Sequence, residues 1–245
     1  MPATPPWPPA SLPRLFVDQE LGAGMNLTLD GAKANYLANV LRLKEGAQVE
    51  LFDDHTGAWR ATITDAARKR VTLNIVERLR AREAVPDLWL LFAPIKRGRI
   101  DWLVEKATEL GVDRLMPVIT RRTVVDRLNL DRLRAHAIEA AEQCGRTALP
   151  ALAEPTALQK ALAEWPVERA LYFADEAGGA ALLDVARAGP AAILIGPEGG
   201  FTNDERAVIR ALPQARTITL GPRILRADTA ALAAITLWLA RAQGD

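Results

Sequence analysis

The sequence predicts an α/β protein in two parts: a small β-barrel, then a mostly parallel sheet with helices on both faces. Three observations carry this. Short strand patterns broken by turn residues fill the stretch from Arg14 to about residue 80. From Leu88 onward, apolar runs alternate with helical patterns, the rhythm of β-α-β units. Between the two lies the charged segment Glu77 to Glu83. The expected organisation is a proline-rich lead-in over 1–13, a first domain over 14–80 and a second over 81–245.

Met1 to Pro13 carries six prolines and reads as a disordered or polyproline lead-in. Ordered structure begins at Arg14-Leu-Phe-Val17. Asn26 to Leu29 alternates like a strand, and Asp30 is placed to cap a helix running to about Leu41, with Tyr36, Leu37, Val40 and Leu41 on one face. Strands follow at Val49–Phe52, Trp59–Ile63 and Val71–Val76, the first two joined by a turn at Asp53–Gly57. In the second part the strands are Leu88–Phe92, Arg114–Ile119, Leu171–Phe173, Ala191–Ile195 and Thr217–Leu220. Helices are expected over Gly98–Leu110, Leu130–Cys144, Thr156–Glu164, Ala180–Ala188, Asp204–Ala211 and Ala227–Ala242. The second of these carries one apolar stripe: Leu130, Leu133, Ala137, Ala140, Ala141 and Cys144.

Composition narrows the class. Of 245 residues, 49% are hydrophobic and 25% charged, enough for a globular core. The net charge is +1, so any nucleic-acid contact has to come from local basic groups. The single cysteine, Cys144, excludes an internal disulfide and fits a reducing compartment, and the expected location is cytoplasmic. With two histidines and one cysteine, no zinc or other metal site is expected. No apolar run reaches the roughly 18 residues that span a bilayer, and Met1 to Pro13 lacks a basic start and apolar core, so no membrane partner is expected.

The chemistry is concentrated around Ala191 to Glu205. Ala191–Ile195 has the composition of a strand buried on both faces, and it breaks at Gly196-Pro197 and again at Gly199-Gly200. Thr202 or Asn203 can cap a helix starting near Asp204. A strand, a glycine loop and a helix start mark where open α/β sheets bind ligands. The spacing fits neither G-x-G-x-x-G nor a P-loop, and Glu198 in mid-loop would repel a phosphate by about 4 kcal/mol at ~4 Å. A neutral or cationic ligand suits it better; the alternative is a tight turn with a solvated Glu. Two more loops share that sheet edge, one after Phe173 (Ala-Asp-Glu-Ala-Gly-Gly) and one after Leu220, which again begins Gly-Pro. Arg226, Asp228 and Thr229 lie where the last helix begins, as a capping cluster, part of a site, or both.

Ile195-Gly-Pro-Glu-Gly-Gly-Phe-Thr202 together with Leu220-Gly-Pro-Arg-Ile-Leu-Arg-Ala-Asp-Thr-Ala230 resembles the SPOUT methyltransferase superfamily. More narrowly, the chain is similar to the bacterial family that methylates N3 of a uridine in 16S ribosomal RNA. Tyr36-Leu-Ala-Asn-Val-Leu-Arg-Leu-Lys-Glu-Gly46, Glu105-Lys-Ala-Thr-Glu-Leu-Gly-Val112 and Ala140-Ala-Glu-Gln-Cys-Gly-Arg146 extend the resemblance from about Arg14 to Trp238. It implies a PUA-like N-terminal β-barrel, a C-terminal trefoil knot, a homodimer, and S-adenosylmethionine held in a bent form by the knot loops. By matching position the cofactor would be held by Gly196, Pro197, Glu198, Gly199, Gly200 and Phe201, completed by Leu220, Gly221, Ile224, Leu225 and Arg226, with Phe173 and Thr229 at the edges. The chain departs from the family in having Asn35 where histidine is usual, and Asp228-Thr-Ala where Glu-Thr-Ala is usual.

The residues agree with that chemistry. A sulfonium cation tolerates Glu198 where a phosphate would not. Uridine N3 is mostly protonated at neutral pH, so methylation needs loss of that proton, helped by a base or by a cation beside the developing anion. Arg226 is the candidate cation; Glu198 either orients it or the base, or only shapes the loop. RNA contacts are expected from Arg14, Arg42 and Lys44, then Lys96, Arg97, Arg99, Arg121, Arg122 and Arg146, each with the alternative of an ordinary solvated charge. The target base must leave its stack to meet the methyl group. The apolar last helix, with Leu232, Ile235, Leu237, Trp238 and Leu239, is broad enough to bury a second face in a dimer. Two other readings stand beside the enzyme: a non-catalytic RNA-binding factor in assembly of the small ribosomal subunit, and a doubly wound nucleotide binder, which the missing phosphate loop disfavours.

Overall fold

Strands of alternating burial build the first sheet in the computed structural model, which describes residues 12–67, 69–96, 98–125 and 127–242. Nearly all of the expected lead-in, and the expected RNA contact Arg97, lie outside the described residues. Two compact units divide the chain. The first comprises the described residues up to Ala84 together with Gly145–Ala148; the second comprises Val85–Cys144 and the described residues from Leu149 on.

In the first unit, β1 (Arg14–Phe16), β2 (Asn26–Asp30), β3 (Gln48–Phe52), β4 (Gly57–Ala67) and β5 (Arg70–Ala81) form one sheet in the order β1-β3-β4-β5-β2. β1 joins β3 in parallel and every other pair is antiparallel. β2 shows the period of two plainly: Leu27 and Leu29 are buried between exposed neighbours. Register shifts along β4 at Ala58/Trp59, Arg60/Ala61 and Ile63/Asp65 bend the longest pair. The core gathers Leu37, Val49, Leu51, Trp59, Leu73 and Ile75. Between β3 and β4 the buried Asp53 carboxylate accepts the amides of Leu21 (2.7 Å), His55 (2.8 Å), Gly57 (3.2 Å) and Thr56, and the Thr56 hydroxyl (2.6 Å). Burial alone would raise its pKa, but the Thr56 hydroxyl and the amides of Thr56, His55 and Leu21 outweigh burial and hold the carboxyl below its ordinary value.

The helix expected from Asp30 to Leu41 is different in kind. α1 spans only Gly31–Asn35, and Tyr36–Val40 winds as a π-helix closed by the Leu41 amide on the Tyr36 carbonyl at 2.9 Å. The wider turn rotates the expected apolar face apart: Leu37 is buried, while Tyr36 is 37% and Val40 61% exposed. Asp30 ends β2 and makes no side-chain cap.

The second unit holds β6 (Leu88–Phe92), β7 (Arg114–Ile119), β8 (Ala151–Leu152), β9 (Thr156–Ala157), β10 (Ala170–Ala174), β11 (Ala180–Ala181), β12 (Ala191–Ile195) and β13 (Ala215–Thr219). They pair in parallel in the order β11-β13-β10-β12-β6-β7-β8, with β9 on β7. β12 lies between β10 and β6 and is buried throughout, as five consecutive apolar residues predict. Its side chains alternate between two cores. Ala191, Ile193 and Ile195 face α2 (Arg99–Glu109), α3 (Leu130–Cys144), α5 (Leu182–Val185) and α7 (Ala227–Ala242); Ala192 and Leu194 face α4 (Leu158–Ala163) and α6 (Asn203–Ala211). Helices therefore cover both faces. On α3 the predicted stripe is buried at Leu133, Ala137, Ala140 and Ala141.

Three elements differ from expectation. The helix expected from Thr156 starts two residues later, because Thr156 and Ala157 extend along β7. The helix expected over Ala180–Ala188 is α5 alone; Ala180 and Ala181 pair with β13, and beyond Val185 the Arg187 amide leaves the helix to donate to the Tyr172 hydroxyl at 3.0 Å. The last strand ends at Thr219, which leaves Leu220 in the loop.

Candidate functional site

Loops at the carboxyl ends of β10, β12 and β13 enclose a cavity of about 330 Å³. The loop after β12 is formed by local chemistry. Pro197 has no N–H with which to continue a ladder, and the Gly200 amide turns back onto its carbonyl at 2.9 Å. A Cβ on Gly196 would stand 2.6 Å from the Phe201 ring, so the glycine is what lets Phe201 sink to 2% exposure, edge-on against Phe173 at 5.1 Å. Gly200 has φ +67°, and a Cβ there would stand 2.7 Å from Glu176 Oε1.

The loop is anchored at its far end. Thr202 caps α6, accepting the Glu205 amide at 3.3 Å, while Glu205 Oε2 accepts the Thr202 amide at 2.9 Å, a full capping box. Glu205 is 3% exposed, and its other oxygen accepts the Arg121 amide from the loop after β7 at 2.7 Å. From that same loop the Arg122 guanidinium donates to the Gly199 carbonyl at 2.6 Å.

The loop after β10 supplies acids. Asp175, with a side chain 1% exposed, accepts Arg206 Nε at 3.0 Å and Arg210 Nη2 at 2.6 Å; Glu176 accepts Arg206 Nη2 at 2.6 Å. Burial opposes the Arg206 charge, yet the hydrogen bonds to Asp175 and Glu176 raise its pKa above the ordinary arginine value. The loop after β13 contributes the opposite wall, with Ile224 left 86% exposed at the rim.

Most of the residues expected to form the site meet here. Gly196, Pro197, Glu198, Gly200 and Phe201 line the cavity from one loop, and Leu220, Gly221, Ile224, Leu225 and Arg226 from the other. Three do not line it. Phe173 points into the core behind Phe201, Gly199 turns toward Arg122, and Thr229 sits in the first turn of α7, bonded to Asp228 Oδ1. The partner expected for Glu198 also changes. Arg99 Nη1 lies 3.7 Å from Glu198 Oε1, and Arg99 Nε lies 3.9 Å from Asp228 Oδ2. Arg226 is exposed and has no ion-pair partner among the described residues.

Asp175, Glu176, Arg206 and Arg223 also line the cavity; the first two and Arg223 lie in the loops singled out above without being picked as site residues, and Arg206 lies outside every motif. One signal was available: Arg206 and Arg210 are four apart on one helix, so a single helical face carries two cations that need acidic partners.

Of the expected RNA contacts, Arg42, Lys44, Lys96, Arg121 and Arg122 are exposed. Arg14 and Arg146 are corrected. Arg14 pairs with Glu50 at 2.7 Å, stacks 4.6 Å over the Phe52 ring and donates to the Arg146 carbonyl. Arg146 is 5% exposed, its Nε 3.4 Å from Glu83. Both are engaged in holding the first unit together. Among the described residues there is no cluster of three metal-ligating side chains and no helix long and apolar enough to cross a membrane.

The family model for an RNA methyltransferase domain matches residues 82–239, and that for an RNA methyltransferase PUA domain matches residues 29–76. Ribosomal RNA small subunit methyltransferase E of Rickettsia conorii is 30% identical over 228 residues, 91% of this chain and 93% of its own. The protein of the same name from Synechocystis is 31% identical over 243 residues, 91% of this chain and 75% of its own. The crystal structure of the Neisseria gonorrhoeae ribosomal RNA small subunit methyltransferase E bound to S-adenosyl methionine aligns with a TM-score of 0.87 at 29% identity, over 94% of this chain and 97% of that one.

Proposed function

The chain belongs to the family of ribosomal RNA small subunit methyltransferase E, and from that membership we propose that it methylates N3 of a uridine in 16S ribosomal RNA, with S-adenosylmethionine as methyl donor. The observation that carries this reading is the cavity between the loops after β10, β12 and β13.

The residues present suit that cofactor. The volume lies within the usual range for a small-molecule site. Glu176 and Glu198 offer negative charge to a sulfonium and an ammonium, Arg223 and Arg226 offer positive charge to a carboxylate, and Phe201, Ile224 and Leu225 give apolar contact for a flat base. Glycine backbone forms much of one wall, and a side chain at Gly200 would meet Glu176. The cofactor, when bound, supplies a methyl group on a cationic sulfur, ready for transfer to a nucleophile.

The chain's own residues supply the rest. The N3 proton must leave before or as nitrogen attacks, and Arg226, exposed and without an ion-pair partner among the described residues, is the cation available to stabilise the anion that develops. Glu198, 39% exposed and only loosely paired with Arg99, is the carboxylate available to accept the proton or to orient the group that does. Lys96, Arg121 and Arg122, exposed in the loops after β6 and β7, are the contacts for RNA phosphates, with Arg42 and Lys44 serving in the first unit. The uridine enters unstacked.

The reading extends to a trefoil knot in the second unit; β12 inserting between β10 and β6, with β13 returning beyond β10, supports it. It also takes in a cytoplasmic homodimer, to which the half-exposed Leu232, Leu237 and Leu239 of α7 lend an apolar surface. Small subunits and naked 16S RNA from a strain lacking the protein, incubated with it and S-adenosylmethionine, should gain one 3-methyluridine by mass spectrometry of nuclease digests. Cofactor binding without methylation of either substrate would instead leave a non-catalytic RNA-binding factor. Glu198→Gln should slow turnover far more than it weakens cofactor binding, and unchanged turnover removes Glu198 from the mechanism.

A further inference from the structure

Two loops form most of the cavity wall, and among the described residues no hydrogen bond or ion pair runs directly from 196–201 to 219–228. A side chain from a third element spans them instead. Arg99, the first residue of α2, places Nη1 3.7 Å from Glu198 Oε1 on one loop and Nε 3.9 Å from Asp228 Oδ2 where the other loop enters α7.

Its position is not explained by the helix it starts. A cation in a first turn faces the positive end of the helix dipole; the N-cap, Gly98, has no side chain to offset this, and the acid of that turn, Asp101, pairs with Arg132 at 3.1 Å. The two carboxylates are what favour a guanidinium there. Both separations exceed hydrogen-bond range, so the charge is shared between the acids and not locked onto either. The Asp228 side chain is 13% exposed, against 37% for Arg99 and 39% for Glu198, so the link is screened less on the α7 side. A planar, delocalised cation is suited to bridging two acids approached from different directions.

We infer that Arg99 is a positioning residue, the tie that holds the loop after β12 and the start of α7 at the spacing in which they receive the cofactor. Arg99 thus belongs with the cavity, and not with the basic groups expected to contact RNA. The inference rests on the proposed function only for the identity of the cofactor; the tie is a property of the chain.

Amide hydrogen exchange of the cofactor-free protein tests the tie directly. Arg99→Met should quicken exchange in 196–201 and in 219–227 together, and Arg99→Lys should restore part of the protection. Calorimetry with S-adenosylmethionine should give about a 5-fold weaker Kd for Arg99→Met, about the effect of losing a half-exposed ion pair, and a similar loss for Asp228→Asn. The double variant should then be no weaker than the worse single one, because the two changes break the same link. Losses that multiply, faster exchange confined to 98–101, or a loss only of RNA affinity and its salt slope would overturn the inference. A protein that binds S-adenosylmethionine but methylates no RNA would refute the proposed function and leave the tie standing. If the wild type binds no S-adenosylmethionine, the exchange measurement alone still decides.

Discussion

Replacing Glu205 by alanine removes a carboxylate that serves two loops at once. One oxygen accepts the Thr202 amide at 2.9 Å and the Thr202 hydroxyl at 3.1 Å, and the other accepts the Arg121 amide at 2.7 Å. The reciprocal bond survives, since it is the backbone amide of residue 205 that donates to Thr202. Hydrogen bonds to a charged group contribute about 1.5–3 kcal/mol each. Arg121 is exposed, so water can replace part of its bond, and the lower end applies: about 3 kcal/mol for the pair of amides. For a chain of this size that lowers the melting temperature by about 6–12 °C. Thr202→Ala, which removes the cap and the hydroxyl bond but leaves both amide bonds to the Glu205 carboxylate, should cost about 1 kcal/mol and roughly a third of that shift. Scanning calorimetry at neutral pH compares the two, with Glu205→Gln expected to fall between them. A shift for Glu205→Ala no larger than for Thr202→Ala would mean that the bond to the Arg121 amide contributes nothing, and the reasoning would fail.

Other consequences follow from single contacts. The Asp53 carboxyl is held below its ordinary pKa, so its contribution to stability is complete above the unfolded-state value of about 4 and is lost as pH falls through the folded-state value. Urea unfolding followed by fluorescence between pH 3 and 6 should show the first unit weakening at the acid end, and Asp53→Asn should flatten that slope while lowering stability at neutral pH. Gly200→Ala combines a positive φ with a Cβ 2.7 Å from Glu176 Oε1, so cofactor affinity should drop about tenfold or more, with Glu176→Ala relieving part of the loss. Charge reversal at Arg121 and Arg122 should weaken RNA binding and flatten its log–log salt dependence by about 0.7 to 0.9 for each phosphate no longer neutralised; filter binding at several salt concentrations measures it.

Local features were legible in the sequence. β12 could be read because five apolar residues in a row have only one buried-strand interpretation when glycine and proline close the run. The α6 start was visible in Thr202 and Asn203 as possible caps; Thr202 takes the role, and Glu205 completes a capping box that was not read. What escaped depends on partners far along the chain. Arg14 and Arg146 look like free cations until Glu50, 36 residues away, and Glu83, 63 residues away, are brought to them. Arg206 gives no sign of Asp175 beyond its helical spacing. The π-turn at Tyr36–Val40 was hidden for another reason, since over five residues its apolar pattern is that of an ordinary helix end. Arg99 sat in a basic run, where charge alone pointed outward to RNA and the two acids that claim it were not adjacent in sequence.

Ile224 stands almost wholly in water at the cavity rim. A branched aliphatic group in that position orders solvent that any occupant of the cavity, or any nucleotide laid across its mouth, will release. The signature is thermal: association at this rim should carry a negative heat-capacity change that shrinks in Ile224→Ala. The enthalpy of binding will then grow more favourable with temperature, even where the affinity itself barely moves.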